Sequence, residues 1–295
     1  MRRREFRART PDGRWLAVEE AGPEDGDLVI FHTGTPGSHY IFEGQIRECA
    51  KRGLRIACVS RPGYLGSTRL RGRSYADNPA DTAFVADRLG AETFYVIGHS
   101  GGGGPALADA ALLADRVRAV TAISTFAPRS AHGLDWRAGI ELVNGPEEEA
   151  LEAGDEALQR LLEGEASKMR QVTTGAQIRD DFGRLHSEVD RDSFVGEFLE
   201  FQVKSYPLAV QDGIWGWFDD DKIIWGDWGF DLAEIAAPVS VWQGGEDRII
   251  PTAHTEWLAR NISGAQFHLL PDEGHVSLMT RRYGEILDDL IELGA

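Results

Sequence analysis

Three residues of the chain, Ser100, Asp247 and His275, have the types and the order needed to activate a hydroxyl. Ser100 lies in Gly98-His99-Ser100-Gly101-Gly102, directly after the apolar, β-prone run Phe94-Tyr95-Val96-Ile97 and just before the helix-forming Ala106-Leu107-Ala108. A strand that passes through Gly-x-Ser-x-Gly into a helix predicts a sharp turn, with the serine strained and its hydroxyl clear of the sheet. Gly98 and Gly102 have no side chains to collide across that turn. The helix that follows aims free N–H groups and its positive end at the reacting centre. Taken alone, the pentapeptide is better read as a Gly-rich turn without chemistry. A phosphate cradle at residues 101–104 is disfavoured, since no Lys-Ser/Thr follows and no G-x-G-x-x-G precedes an acid about 20 positions on.

A serine hydroxyl is a poor nucleophile at neutral pH and needs an adjacent base, itself oriented by an acid. Asp247 follows the run Val239-Ser240-Val241-Trp242, and His275 follows Phe267-His268-Leu269-Leu270. In a parallel sheet both loops leave the carboxyl edge at which Ser100 stands. Each is an ordinary loop residue by itself; three correct types after three strand ends are much harder to obtain by chance. A tetrahedral intermediate also requires two N–H donors for its oxyanion. Gly101 supplies one, and the second is expected from His32-Thr33-Gly34-Thr35-Pro36-Gly37-Ser38, the loop after Leu28-Val29-Ile30-Phe31.

The elements that must position these residues repeat along the chain. Residues 5–20 read as a two-stranded opening with Asp12-Gly13 in its turn. Short apolar runs then begin near Leu28, Arg55, Phe94 and Arg118, a spacing suited to βαβ units with helical crossovers. The beat stops after Arg118 and returns at Val239 and Ala265. The expected organisation is therefore a core of residues 1–128 and 236–295 with an inserted domain at 129–235. The insertion is helical in character, with a start at Pro146-Glu147-Glu148-Glu149, a break near Gly154-Asp155, and Phe194, Phe198 and Phe201 recurring at three and four. Between Glu141 and Glu165 nine acids face the single base Arg160, which reads as a solvated face. Trp215, Trp217, Trp225 and Trp228 crowd its end; some of these rings are expected over the serine. Residues 277–293 read as one amphipathic helix.

Composition limits the partners. A net charge of −17 argues against nucleic acid or an anionic membrane, which leaves a small-molecule substrate and keeps a homo-oligomer open. Cys49 and Cys58 have no metal or disulfide spacing and read as small core residues. No pair of histidines has zinc-ligand spacing with a third ligand nearby, so neither a metal nor a cofactor is expected. Without a signal peptide or a spanning apolar run, the default location is the cytoplasm.

With the order Ser, Asp, His in place, the chain resembles an α/β-hydrolase from end to end. The resemblance extends to the loop Arg61-Pro62-Gly63-Tyr64-Leu65-Gly66-Ser67. It implies an α/β fold with a mostly parallel sheet flanked by helices, and makes the insertion a helical cap. The family's usual oxyanion loop, His-Gly-x-Pro, aligned on Gly34-Thr35-Pro36, makes Thr35 the second donor. Thr33 then occupies the histidine position, which leaves Gly34 as an alternative donor. Ser60 stands where the family often has Asp, a change read as structural. Gly34, His39, Trp215 and Trp217 are the expected substrate contacts. The resemblance implies a serine hydrolase acting on an ester, thioester, lactone or amide of a small, largely apolar molecule. A proline-iminopeptidase-like peptidase and a ligand-binding or lyase member of the same fold are the alternatives. Dehalogenase-like and epoxide-hydrolase-like branches, whose nucleophile is Asp, are excluded by Ser100.

Overall fold

The computed structural model describes residues 2–140 and 145–295. Its strands are β1 (Arg2–Arg9), β2 (Trp15–Gly22), β3 (Asp27–His32), β4 (Leu54–Val59), β5 (Phe94–His99), β6 (Val117–Ile123), β7 (Val239–Gly244) and β8 (Gln266–Leu270). They form one sheet in the order β1-β2-β4-β3-β5-β6-β7-β8. The pairings β1·β2 and β2·β4 are antiparallel, and every pairing from β4·β3 onward is parallel. From β3 the chain steps to β4 on one side, and β5 then pairs with the other side. Loops leaving the carboxyl ends of β3 and β5 therefore diverge and open a crevice there. Phe31 pairs with Ile97 and His32 with Gly98, so the loop after β3 starts level with the turn that carries Ser100.

Alternate residues of each buried strand serve opposite faces. Val29, Phe31, Tyr95, Ile97, Ala119 and Ile123 pack on one side; Leu28, Ile30, Phe94, Val96, Val120 and Ala122 pack on the other. The first layer is covered by α1 (Glu43–Lys51), and the second by α2 (Asn78–Arg88) and α3 (Gly103–Leu112). Between β6 and β7 come α4 (Gly145–Ala153), α5 (Asp155–Arg170), α6 (Gly175–Gln177), α7 (Glu188–Arg191), α8 (Gly196–Ala209) and α9 (Trp215–Ile224). The chain closes with α10 (Thr252–Asn261) on the second layer, then α11 (Ser277–Arg281) and α12 (Tyr283–Leu293) on the first.

The inserted helices have a core of their own. Leu158, Leu162, Ala166 and Met169 form a stripe on α5 that meets Ala209, Val210, Ile214, Trp217 and Phe218. Gly154 separates α4 from α5 at φ 107°, a conformation that strains residues with a side chain. Phe194 precedes α8, and its ring packs on that of Phe198. The acidic run begins at Glu141, outside the described residues. Its members Glu152, Glu156 and Glu163 are exposed, whereas Glu147 and Glu165 line an internal cavity, which a uniformly solvated face would not do. The expected single helix at 277–293 is two, because Arg282 leaves helical geometry at φ −115° and ψ 2° and its guanidinium bonds Glu273. Both cysteines are buried, and burial pushes each thiol up to about 12, which leaves them inert. Among the described residues no helix is long and apolar enough to cross a membrane, and no cluster of His, Cys, Asp and Glu is arranged to hold a metal.

Candidate active site

Ser100 has φ 55°, the left-handed region that non-glycine residues rarely occupy. The turn is too tight for other residues beside it. A Cβ on Gly98 would stand 2.3 Å from Gly102 O, and one on Gly102 would stand 2.1 Å from His32 O. Thr125 Oγ1 donates to Ser100 O at 2.8 Å, tying the turn to the loop after β6.

Asp247 follows β7 and is fully hydrogen-bonded. Its Oδ1 accepts from the Ile249 and Ile250 N–H groups at 2.8 and 3.0 Å. Its Oδ2 accepts from Gln243 Nε2 at 3.2 Å and lies 2.9 Å from His275 Nδ1. The carboxylate therefore fixes Nδ1 as the protonated nitrogen and leaves Nε2 as the acceptor. Burial alone would lower the His275 pKa, but the charge and hydrogen bond of Asp247, with the charge of Asp190, hold it above the ordinary value. Burial would raise Asp247, yet the His275 contact and the two backbone N–H bonds keep it below the usual range. The pair is thus poised as carboxylate and imidazole. Ser100 Oγ makes no hydrogen bond among the described residues, but Ser100 and His275 line the same cavity; such contacts commonly tighten when substrate arrives.

Two carboxylates from the inserted segment hold the loops that carry this chemistry. Asp190, fully buried at the end of α7, accepts from His275 N at 2.9 Å, Val276 N at 2.8 Å and Ser277 N at 2.9 Å. It satisfies the free donors at the start of α11 and fixes the backbone of the histidine loop. Asp220, fully buried on α9, accepts from Thr35 Oγ1, Tyr64 Oη and both Nε and Nη2 of Arg61, and pairs with Arg73. Arg61 also donates to Thr33 O at 2.5 Å and Gly34 O at 3.0 Å. Burial opposes the Asp220 charge, but the two guanidiniums overcome it and hold its pKa far below the carboxylate range. With two loop carbonyls and one hydroxyl engaged, the loop after β3 is held by Arg61 and Asp220. Removing Asp220 would strand a buried guanidinium, so Asp220→Ala is expected to cost about 3–5 kcal/mol of stability. Calorimetric unfolding should show a melting point lowered by several degrees, and an unchanged one would remove this linkage.

The comparisons with known proteins agree with this architecture. The family model described as alpha/beta hydrolase fold matches residues 27–281. The chain belongs to the α/β-hydrolase fold family. It is similar to a non-heme chloroperoxidase of Burkholderia pyrrocinia, 25% identical over 248 residues and 83% of each chain. It is also similar to epoxide hydrolase A of Mycobacterium tuberculosis, 27% identical over 306 residues that span 95% of this chain and 94% of the other. Its fold matches the crystal structure of a Bacillus anthracis bromoperoxidase with a TM-score of 0.71 at 18% identity, over 98% of this chain and 100% of that one.

In this α/β-hydrolase the cavity has a volume of about 740 Å³, and Gly34, Thr35, Ser100, Gly101, His275 and Trp217 all line it. The Thr35 amide nitrogen lies 3.1 Å from where a Gly101 Cβ would stand, so the two expected oxyanion donors are neighbours. Gly34 also adjoins the nucleophile, since a Cβ there would lie 3.2 Å from Ser100 Cβ. Two expected substrate contacts lie elsewhere. His39 is buried with Nδ1 2.7 Å from Ser60 Oγ and Nε2 2.9 Å from Glu5, so both its nitrogens are engaged. The same contact gives Ser60 its structural use. Trp215 is 36% exposed and lies beneath the Arg69 guanidinium, because two helical positions turn it about 200° away from Trp217. Of the other tryptophans, Trp225 lines the cavity and Trp228 packs on Tyr75. His99 Nε2 lies 3.0 Å from His275 O; burial, then the nearby His275, pushes His99 down to about 3, so it stays neutral. His32 is buried against Asp109 at 2.8 Å behind the loop.

Asp190, Asp220 and Arg61 were not singled out by sequence reasoning. Arg61 carried a signal, since it opens a loop similar to the family's own. Asp190 carried none: Glu188-Val189-Asp190-Arg191-Asp192 reads as a solvated charge run.

Proposed function

We propose that this α/β-hydrolase is a serine hydrolase that cleaves an ester, thioester, lactone or amide of a small, largely apolar molecule through an acyl-enzyme on Ser100. His275 Nε2 takes the hydroxyl proton as Oγ attacks the carbonyl carbon, and the oxyanion is held by the N–H groups of Gly101 and Thr35. Collapse expels the leaving group, which receives that proton. Water then attacks the ester on Ser100 by the same route, with His275 as base and then acid. Asp247 keeps the imidazole in the productive tautomer and stabilises its cation. Residues 129–235 act as the cap that closes the cavity.

The observation that carries this reading is the buried Asp247–His275 pair facing the same cavity as a serine held at φ 55°. The names of relatives span several reactions, and Ser100 separates this chain from a nucleophilic aspartate mechanism. Phe126, Phe198, Phe201 and Met279 give the cavity apolar walls suited to a hydrophobic acyl or alcohol part.

The pH profile of p-nitrophenyl ester hydrolysis tests the role of His275. Its base form is populated above its pKa, which Asp247 raises beyond the ordinary value of about 6.5. The value of kcat/KM is therefore expected to fall as pH drops through a midpoint above about 6.5. A flat profile from pH 5 to 9 would exclude His275 as the base.

A further inference from the structure

The sequence Asp219-Asp220-Asp221 on α9 places three carboxylates side by side, and the structure neutralises only two of them. Asp219 is bound by Arg69 through both oxygens, and Asp220 by Arg61 and Arg73. The next residue, Lys222, is spent on Asp155. Among the described residues Asp221, 2% exposed, has no cation and its Oδ2 has no hydrogen-bond partner; the donor that reaches its carboxyl is the Trp217 indole. A buried carboxylate without a cation and with one oxygen unpaired is costly, so such a group in a cavity wall points to a missing counterpart.

The counterpart has a defined surrounding. Trp217, Asp221 and Trp225 recur at four-residue intervals, which puts them on one face of the helical path, and all three line the cavity that holds Ser100. Glu147 of α4 lines it beside them. Among the described residues, Lys168 is the lysine or arginine of the cavity wall, and it is bound to Glu165 at 2.6 Å. The wall therefore offers the carboxyl groups of Asp221 and Glu147 beside two indole rings, with no lysine or arginine paired to them among the described residues.

We propose that the cavity takes a substrate carrying a protonated amine, with its reactive carbonyl at Ser100 and its ammonium against Asp221 and Glu147. This rests on the hydrolase reading for the carbonyl end only. An ammonium supplies the positive charge that the two carboxyls lack and further N–H donors beside the Trp217 indole, and tryptophan faces attract cations as well. Burial, opposed by the Trp217 indole and reinforced by Glu165, pushes the Glu147 carboxyl up to about 7. Burial, then the charges of Glu147 and Asp220, holds Asp221 well above the usual range. Neutral acids are thus favoured in the absence of a cation, and an ammonium lets the two ionise. A neutral hydroxyl leaves the two acids protonated and gains no ion pair, and an anionic group opposes their ionisation further.

The test uses p-nitrophenyl ω-aminoalkanoates of increasing chain length, each against the alkanoate in which a methyl replaces the ammonium. At the chain length that spans the cavity, wild type should favour the amino ester by about tenfold or more in kcat/KM. Asp221→Asn and Glu147→Gln should each reduce that ratio toward one, an effect on selectivity that general loss of structure does not produce. Calorimetric titration with hexylammonium and 1-hexanol reads the same subsite without turnover. Hexylammonium should bind the tighter of the two, and Asp221→Asn should remove the difference. If neither ester turns over while hexylammonium shows this preference, the subsite stands and the hydrolase reading fails. If both esters turn over equally at every length and hexylammonium binds no tighter than hexanol, the subsite is overturned and the hydrolase reading stands. A preference that survives in both variants overturns it as well.

Discussion

Replacing Ser100 by alanine is expected to lower kcat for ester hydrolysis by about a millionfold, with the fold intact. The effect is large because the nucleophile, the base and its orienting acid act as a unit, so loss of one forfeits nearly the whole covalent route. The structure makes this substitution mild in every other respect. Ser100 Oγ makes no hydrogen bond among the described residues, and the φ of 55° is a property of the turn that alanine inherits. The Thr125 bond goes to the Ser100 carbonyl, which alanine keeps. The melting temperature should therefore stay close to that of wild type while turnover disappears. Steady-state assays beside a circular-dichroism melt check both halves, and activity within tenfold of wild type in a folded Ser100→Ala protein would end the covalent mechanism.

Asp247→Asn is expected to cost about four orders of magnitude in kcat and to move the acid limb of the pH profile downward. Asn retains an oxygen that can stay on the Ile249 and Ile250 N–H groups, which directs its NH₂ toward His275. That amide donates where the carboxylate accepted, so Nδ1 becomes the acceptor and Nε2 carries the proton. The base is then in the wrong tautomer for Ser100. The charge and hydrogen bond of Asp247 are also what hold the His275 pKa up against burial, so without them the midpoint moves to lower pH. A pH series on the residual activity reads both effects. A variant with wild-type kcat, or with its limb moved upward, would contradict the assigned role.

The strands were legible because each of β3 to β7 is an apolar run of the right length followed by a turn or loop. The positions of Ser100, Asp247 and His275 followed from those ends, since a parallel sheet delivers its carboxyl-terminal loops to one edge. The side of the insertion was less legible. Trp215 and Trp217 look alike in sequence, and only the helical rotation of α9 separates the ring over the cavity from the ring under Arg69. His39 looked available until its two nitrogens met Ser60 and Glu5, contacts made across 21 and 34 residues. Asp190 and Asp220 were hidden for the opposite reason. Asp190 sits in a charged stretch that reads as solvent-facing, Asp220 has its partners in loops far away in sequence, and only the docking of inserted helices on those loops buries them. Local pattern reports strand ends well; it does not report which carboxylate a neighbouring element covers.

The central claim, that Ser100 is an activated nucleophile, is tested most directly by intact-mass spectrometry after exposure to an alkyl fluorophosphonate, on wild type and on Ser100→Ala. The account predicts a single phosphonyl adduct on wild type, mapped by peptide digestion to Ser100, and none on the variant. No adduct on folded wild-type protein, or an adduct that persists in Ser100→Ala, would contradict it.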